Sequence, residues 1–242
     1  MRNAQAWKPT KFTKSNEVWR SSGSVAPASR LITNLAGLAY GDAIKRFARG
    51  RLVDLGCGTV PLYGIYSELV SEVVCVDWPG SAHDINHADR FADLNSALPY
   101  ESDTFDTILS TDVLEHIWNH PTFWAEVARI LRPGGKVILG TPFFYWLHEE
   151  PHDYFRWTAF ALKRACSEVG LIVLELAPYG GALDIVADVT LKALALRMKS
   201  LTAVLYPLVW VLLSRGPFRR LSNGTSSRFP LGYCLVATKK ID

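Results

Sequence analysis

The sequence predicts an α/β fold in which strands and helices alternate around an open sheet. An apolar run at 52–55 meets two glycines, Gly56 and Gly58, and a second apolar run at 73–76 ends in Asp77. Such short apolar runs are typical of buried strands, and the stretches between the strand candidates carry apolar residues at helical spacing. With 242 residues, of which 49% are hydrophobic, the chain can form one such domain with additions.

The first strand runs into a glycine turn that ends at Pro61. Because proline is favoured at the start of helices, we expect Pro61 in the first turn of the next helix. The glycines let the backbone approach a ligand closely, at the edge of the sheet where α/β proteins bind ligands. The third glycine of the dinucleotide fingerprint is missing, and Asp54 would repel a pyrophosphate. The turn therefore favours a cationic ligand, such as an amino-acid ammonium or a sulfonium.

Asp77 ends the second predicted strand, about twenty residues past Gly58. At this spacing an acidic side chain reaches a ribose diol. Asp77 is therefore a candidate to accept hydrogen bonds from both ribose hydroxyls.

The other elements follow from the same patterns. Residues 1–30 form a polar arm, whose aromatic residues either pin it to the domain or make it a lid over the substrate. A helix is predicted over 29–48, with Gly50 as its C-terminal cap. Strands are predicted at 51–55, 73–77, 90–93, 105–110, 135–141, 171–176 and 233–238.

Two further helices precede the fifth and sixth strands. One starts near Pro121, buries residues as far as Leu131, and ends at Pro133-Gly134-Gly135. The other is capped by Thr158 and stops at Gly170.

Taken together, these residues resemble the class I S-adenosylmethionine-dependent methyltransferases, in particular the type 11 branch. The motifs follow the family's order and spacing, and together in register they are specific where each alone is weak. They are Asp54-Leu-Gly-Cys-Gly58, Asp77, Asp93-Leu94, Phe105-Asp106, Val113-Leu-Glu-His116 and Leu131-Arg-Pro-Gly-Gly135. Many members carry a third glycine where this chain has Val60, and this substitution alters the turn near the cofactor's carboxylate.

The resemblance implies a Rossmann-like methyltransferase fold: a mixed seven-stranded sheet with helices on both faces, whose last two strands form an antiparallel edge hairpin. It also implies S-adenosylmethionine as the cofactor. Residues in and beside the motifs are expected to bind it: Asp54, Gly56, Cys57, Gly58, Asp77, Trp78, Asp93, Leu94, Ser110, Thr111 and His116. His116 is expected to face the cofactor, with a hydrogen-bonded structural histidine as the alternative.

The loop at 142–158 leaves the same edge of the sheet and is dense in aromatic and titratable residues. His148, His152, Asp153 and Arg156 are the candidate catalytic residues. Similar runs occur in the type 11 branch, often in enzymes thought to modify saccharides or secondary metabolites. The alternative is an Asp153–Arg156 ion pair and aromatic packing that only fix the loop.

More than fifty residues separate the last two predicted strands, which indicates a helical insertion before the last strand. We expect an arm and helix at 1–48, a core at 49–180, the insertion at 181–230 and the last strand at 231–242. Residues 200–214 carry no charge, yet this stretch is too short to span a bilayer and contains Pro207. It is expected to fold back on the domain or to form a homodimer, with contact to a membrane surface as the third alternative.

Composition excludes several classes. A net charge of +3 is too small to indicate nucleic acid, and the four cysteines lack metal-site spacing and are expected to be buried free thiols. No apolar core follows Met1, so we expect no signal peptide and a cytoplasmic location, with contact to the inner membrane left open. His83 and His87 lie four apart without further ligands, and no metal site is predicted.

The sequence thus predicts an S-adenosylmethionine-dependent methyltransferase that O-methylates a saccharide or other secondary metabolite. His152 or His148 is the expected general base, because an imidazole titrates near neutrality. The alternatives are N- or C-methylation of a small molecule, and a non-catalytic cofactor-binding scaffold. The expected partner is a small-molecule or glycan acceptor, with a homodimer or a peripheral membrane contact through 182–220.

Overall fold

A computed structural model describes residues 1–15 and 18–241, and within them a seven-stranded mixed sheet forms the centre of the molecule. The strands are β1 (Phe12–Ser15), β2 (Val18–Ser21), β3 (Arg51–Leu55), β4 (Glu72–Asp77), β5 (Arg90–Phe91), β6 (Phe105–Thr111), β7 (Leu131–Pro142), β8 (Leu171–Tyr179) and β9 (Gly232–Lys239). The α-helices are α1 (Arg30–Phe47), α2 (Tyr63–Tyr66), α3 (His120–Ile130), α4 (Ala159–Glu168), α5 (Ala182–Ala195), α6 (Lys199–Ser214) and α7 (Gly216–Thr225).

The strands follow the order β5-β4-β3-β6-β7-β9-β8, and β1 pairs with β2 in a separate hairpin. The strands from β5 to β7 are parallel, while β9 pairs antiparallel with both β7 and β8. The predicted edge hairpin is therefore confirmed. The chain reverses its direction of travel across the sheet between β3 and β6, and a crevice for ligands forms at such a switch point.

Helices cover both faces of the sheet, as predicted. On one face α3 and α4 bury Phe123, Val127 and Leu162. On the other, α1 and α2 pack together with Phe12 of the arm, which is almost fully buried. The arm is thus anchored to the domain by its aromatic residues.

Two predicted helix boundaries are wrong. The helix after the glycine turn begins at Tyr63 and makes a single turn, so Pro61 precedes it. Val60 has a φ of 52°, and this left-handed residue delays the start of the helix. The helix before the fifth strand ends at Ile130, because Leu131 is already extended and pairs with Phe105.

Smaller corrections concern Gly50 and the third strand. The C-terminal cap of α1 is Ala48, and Gly50 instead turns the chain into β3 with a φ of +65°. A side chain at Gly50 would meet the Asp106 carboxylate, since a Cβ there would lie 2.4 Å from it. The strand predicted at 90–93 is only two residues long.

The insertion is helical, as predicted, and consists of α5, α6 and α7 in the described chain. α5 and α6 contact α1 and the turn at Pro27–Ser29, so the insertion folds back on the domain. Pro207 lies in the interior of α6. Among the described residues no single helix has the length and hydropathy of a membrane span. α6 and α7 reach that length and hydropathy together, but the chain bends by 78° between them.

The Asp184 carboxylate holds the insertion together. It is fully buried at the start of α5 and accepts hydrogen bonds from the Gly181 backbone N–H at 2.9 Å and from the Ser222 hydroxyl. The Arg219 guanidinium of α7 reaches it with two nitrogens, at 3.1 and 2.6 Å. One side chain therefore caps α5 and joins it to α7.

Replacing Asp184 by alanine should destabilise the protein by about 3–5 kcal/mol, because it leaves the Arg219 charge without its partner inside the protein. Thermal and denaturant unfolding measure this. Asp184→Asn, which keeps an acceptor oxygen, should cost less. An Asp184→Ala protein with unchanged unfolding would show that the network contributes nothing.

Candidate functional site

A large cavity of about 670 Å³ opens at the carboxyl ends of β3, β4 and β6. Most residues predicted to bind the cofactor lie in its wall: Gly56, Cys57, Gly58, Asp77, Trp78, Asp93, Leu94, Thr111 and His116. A side cavity of about 220 Å³ shares Lys11, Asp112 and Glu149 with it. The two cavities therefore share part of their walls.

The glycine turn is shaped for close approach of a ligand. Gly56 has a φ of +73°, and a Cβ there would lie 2.5 Å from the Val113 side chain. Gly58 has a φ of +49°, and a Cβ there would meet nothing closer than His83 at 3.7 Å. Gly56 thus lets the turn pack against the segment that follows β6, while Gly58 leaves space open to the cavity.

Val60 keeps the turn in the conformation that a third glycine would allow. It is fully buried with a positive φ, which is strained for a β-branched residue. The indole N–H of Trp7 donates to its carbonyl at 3.0 Å. The arm thereby helps to hold the turn where the family's glycine is absent.

Asp77 lies at the end of β4 and fixes the turn. One carboxylate oxygen accepts from the Gly58 N–H at 2.5 Å, and the other accepts from the Trp78 N–H at 2.8 Å. A carboxylate has further lone pairs, so hydroxyls of a ligand can still bind it.

Two predicted residues lie outside the cavity wall. The Tyr66 hydroxyl donates to the Asp54 carboxylate at 2.9 Å, and burial raises the pKa of Asp54 to about 7. The Ser110 hydroxyl donates to the Leu55 carbonyl at 2.9 Å. The predicted direct contact of Asp54 with a cationic ligand is therefore not what this geometry provides.

An ion pair that the sequence did not indicate lines both cavities. The Lys11 ammonium lies 2.7 Å from the Asp112 carboxylate, whose other oxygen accepts from the Tyr40 hydroxyl at 2.7 Å. Neighbouring positive and negative groups complement the two charges of an amino-acid end. In the sequence, the indication of this pair was the position of Asp112, directly after Thr111 at the end of β6.

The loop after β7 places its two histidines differently. His152 lines the large cavity, where its ring packs against Trp78 at 5.4 Å and its Nδ1 lies 2.9 Å from the Tyr154 hydroxyl. His148 lines the side cavity. Its Nδ1 lies 3.3 Å from an Asp153 oxygen, and burial lowers its pKa.

Asp153 and Arg156 fix this loop rather than line either cavity. The two residues form an ion pair in which Arg156 Nη2 lies 2.7 Å from Asp153 Oδ2. The guanidinium also donates to the Trp146 carbonyl at 3.1 Å. The Asp153 carboxylate also accepts from the His148 backbone N–H at 3.1 Å. The pair predicted as the structural alternative is thus present, and it positions His148.

Glu115 is a site residue that the sequence motifs did not single out by chemistry. It is fully buried, yet it lines the side cavity beside His148. Burial and the nearby Asp112 raise its pKa well above the ordinary range of a glutamate.

The family comparison decides the identity of this cavity. The family model described as a methyltransferase domain matches residues 53–139, the segment that supplies β3 through most of β7. This segment is therefore a methyltransferase domain, consistent with the predicted type 11 branch of the class I S-adenosylmethionine-dependent methyltransferases. The methyltransferase therefore binds S-adenosylmethionine as its cofactor.

Relatives and solved structures agree with this family. A ubiquinone biosynthesis O-methyltransferase of Rhodopseudomonas palustris is 27% identical over 68% of this chain and 79% of its own length. A norajmaline N-methyltransferase of Rauvolfia serpentina is 29% identical over 49% of this chain, which spans only 44% of that relative. An S-adenosylmethionine-dependent methyltransferase structure from Mesorhizobium loti shares the fold, with a TM-score of 0.55 and 17% identity over 84% of this chain and 98% of that one.

The wall of the large cavity fits S-adenosylmethionine. Gly58 leaves room beside the turn, Asp77 offers a carboxylate to the ribose, and the Lys11–Asp112 pair complements the amino-acid end. These residues would bind and orient the cofactor, with Asp77 at the ribose and the Lys11–Asp112 pair at the amino-acid end.

Replacing Asp77 by alanine should weaken binding of S-adenosylhomocysteine by about tenfold to a hundredfold, since charge-assisted hydrogen bonds are worth about 1.5–3 kcal/mol. Calorimetry measures the affinity. Asp77→Asn, which keeps an acceptor for the Gly58 N–H, should fall between the two and controls for loss of the turn. Equal affinity of the wild type, Asp77→Ala and Asp77→Asn would show that Asp77 does not bind the cofactor.

Proposed function

We propose that this methyltransferase O-methylates a hydroxyl group on a small acceptor, a saccharide or another secondary metabolite. The observation that carries this proposal is the side cavity, which joins the large cavity at Lys11, Asp112 and Glu149 and has titratable side chains in its wall. A hydroxyl must lose its proton when it is methylated, and this wall can accept one. The name of the Rhodopseudomonas relative, an O-methyltransferase, supports the same chemistry.

The residues supply position and a proton acceptor. When bound, S-adenosylmethionine supplies an electrophilic methyl carbon: the acceptor oxygen forms the new O–C bond, the electrons of the broken C–S bond stay on sulfur, and the hydroxyl proton leaves. The walls of the two cavities hold the acceptor in line and exclude water. Tyr145, which lines the side cavity, contributes an apolar ring face for the acceptor.

A histidine of the loop takes the proton. His152 faces the large cavity, and His148 faces the side cavity with Asp153 behind its ring. Because burial lowers the pKa of His148, this imidazole is neutral near pH 7 and able to accept. The role of base therefore lies with one of these two side chains.

His152→Ala should lower turnover by about 10²–10⁴-fold with unchanged affinity for S-adenosylhomocysteine, if His152 is the base. Single-turnover kinetics with a methyl-labelled cofactor and an acceptor panel, read by mass spectrometry, measure this. His148→Ala is measured in the same assay for comparison, since only one of the two rings need touch the proton. If turnover, affinity and thermal stability fall together, the loop is structural and neither histidine is a base.

N-methylation is the second candidate, and the name of the Rauvolfia relative favours it. An amine acceptor needs no strong base. The same acceptor panel separates the two reactions, because O- and N-methyl products differ in their stability and fragmentation.

We further propose that the exposed face of α6 binds an anionic membrane surface. Val204, Leu208, Val211 and Leu212 lie on one face of the helix at helical spacing and are 47–73% exposed. The sequence contains no acidic residue between 189 and 241, while basic side chains flank the helix. A second copy would bring like charges together, whereas anionic lipid complements them at about 1 kcal/mol per basic residue.

Replacing Val204 and Leu208 together by serine should reduce the fraction of protein that sediments with phosphatidylserine-containing vesicles, while cofactor binding is unchanged. The matched control is the double change of Val186 and Val189 to serine, on the exposed face of α5. If the wild-type protein is a dimer in light scattering and the variant with Val204 and Leu208 replaced is a monomer, α6 instead pairs with a second copy. Wild-type protein that does not sediment with these vesicles would also contradict the proposal.

A further inference from the structure

Three side chains with free lone pairs converge where the two cavities meet. Glu115 and His116 belong to the helical turn at Leu114–His116 that follows β6, and His148 belongs to the loop after β7. Glu115 Oε1 lies 3.8 Å from His116 Nε2 and 3.8 Å from His148 Nε2. One potential ligand atom from each residue lies within 4.8 Å of the others.

A hydrogen bond behind the His116 ring fixes which of its nitrogens faces this point. His116 Nδ1 lies 2.8 Å from the His152 carbonyl oxygen, which can only accept, so Nδ1 carries the proton and Nε2 has the lone pair. A backbone carbonyl behind the imidazole is an arrangement that metal-binding histidines use. Within the part of the chain that the structure describes, His148 Nδ1 makes no hydrogen bond, although an Asp153 oxygen lies 3.3 Å from it.

Two of the three converging atoms are buried without a hydrogen-bond partner among the described residues. Glu115 is fully buried, and among the described residues neither its Oε1 nor His116 Nε2 has a hydrogen-bond partner. A separation of 3.8 Å is too long for a hydrogen bond between the carboxylate and either ring. A buried carboxylate oxygen beside two imidazole lone pairs is costly, and a cation bound between them removes that cost.

We propose that Glu115, His116 and His148 bind a divalent transition-metal ion, of which Zn²⁺ is the best match. Imidazole nitrogens with one carboxylate suit zinc, iron and manganese better than magnesium or calcium, which prefer oxygen ligands alone. Small side-chain shifts bring all three atoms to about 2.0–2.2 Å from one ion. Glu149, with an oxygen 3.8 Å from His116 Nε2, is close enough to join them.

The site has a consequence for the reaction, and this part rests on the proposed O-methylation. His116 lines the large cavity, while Glu115 and His148 line the side cavity, so the ion lies between cofactor and acceptor. A divalent ion holds the acceptor oxygen and makes its proton easier to lose. His148 then acts as a metal ligand, which leaves His152 as the loop histidine that takes the proton.

The sequence motifs did not indicate this metal site. Glu115 and His116 are adjacent in the chain, and His148 follows 32 residues later, so the three do not form a spaced metal motif. Only the folding of the loop after β7 over the end of β6 brings them together.

The test is metal binding by the full chain without a histidine tag. Protein stripped with EDTA is dialysed against Zn²⁺, Mn²⁺ or Mg²⁺, and the metal per chain is measured by mass spectrometry; Co²⁺ absorption gives a second readout. We expect one Zn²⁺ per chain, at least tenfold weaker binding in Glu115→Gln and His148→Ala, and no change in His120→Gln. The last is a matched control, because His120 packs against Phe155 and Trp157 away from the cluster.

Two results would overturn the metal site. Stripped wild-type protein that takes up no stoichiometric ion is one, and equal binding by wild type, Glu115→Gln and His148→Ala is the other. Calorimetry with S-adenosylhomocysteine shows that each variant is folded. If methyl transfer to a hydroxyl continues in EDTA, the ion's part in the reaction fails and the proposed O-methylation stands; if Zn²⁺ binds but no hydroxyl is methylated, the metal site stands and the O-methylation fails.

Discussion

The carboxylate of Asp112 connects the parts of the molecule that surround the cofactor cavity. It pairs with Lys11 of the arm and accepts from Tyr40 of α1, whose hydroxyl lies 3.1 Å from that of Tyr179 in β8. Burial alone would raise the pKa of Asp112, but the Lys11 ammonium and the Tyr40 hydroxyl outweigh it, and the pKa lies below its ordinary value. The residue has a φ of 55°, a strained conformation that these partners maintain. Without this carboxylate, the arm, α1 and the end of β6 would lose their common contact at the active site.

The arm is anchored to the domain, and one of its residues also lines the cavities. Phe12 is buried against α1, which anchors the arm, and Lys11 beside it lines both cavities. Trp7 holds the carbonyl of Val60, which replaces the family's third glycine. The turn keeps its shape in this chain because a segment far away in the sequence supports it.

The insertion also reaches the active site. Lys192 of α5 is buried with Asp188, and its ammonium lies 3.7 Å from the centre of the Tyr145 ring, in the wall of the side cavity. Asp184 joins α5 to α7, and Lys192 of α5 contacts Tyr145 in the loop after β7. A surface bound by α6 would therefore lie on the same insertion that contacts this loop.

The sequence predicted the parts that depend on local pattern, and it failed where distant segments meet. Apolar runs gave the strands of the sheet, and the motifs placed Gly56, Gly58 and Asp77 at one edge. Asp54 was expected to face the ligand, but the alternation of side chains along β3 turns it towards Tyr66. The sequence did not indicate that Lys11, Asp112 and Glu115 belong to the site. Their roles arise from contacts between residues more than twenty-five positions apart, such as Lys11 with Asp112 and Glu115 with Thr141. No periodicity records such contacts.

Hydrogen–deuterium exchange of the full chain, with and without S-adenosylhomocysteine, tests most directly whether the arm, the end of β6 and the loop after β7 enclose one site. We expect the ligand to slow exchange together at 9–14, 110–113 and 148–154, as well as at the glycine turn. Protection confined to 56–60 and 77–78, with the arm and the loop unaffected, would contradict it.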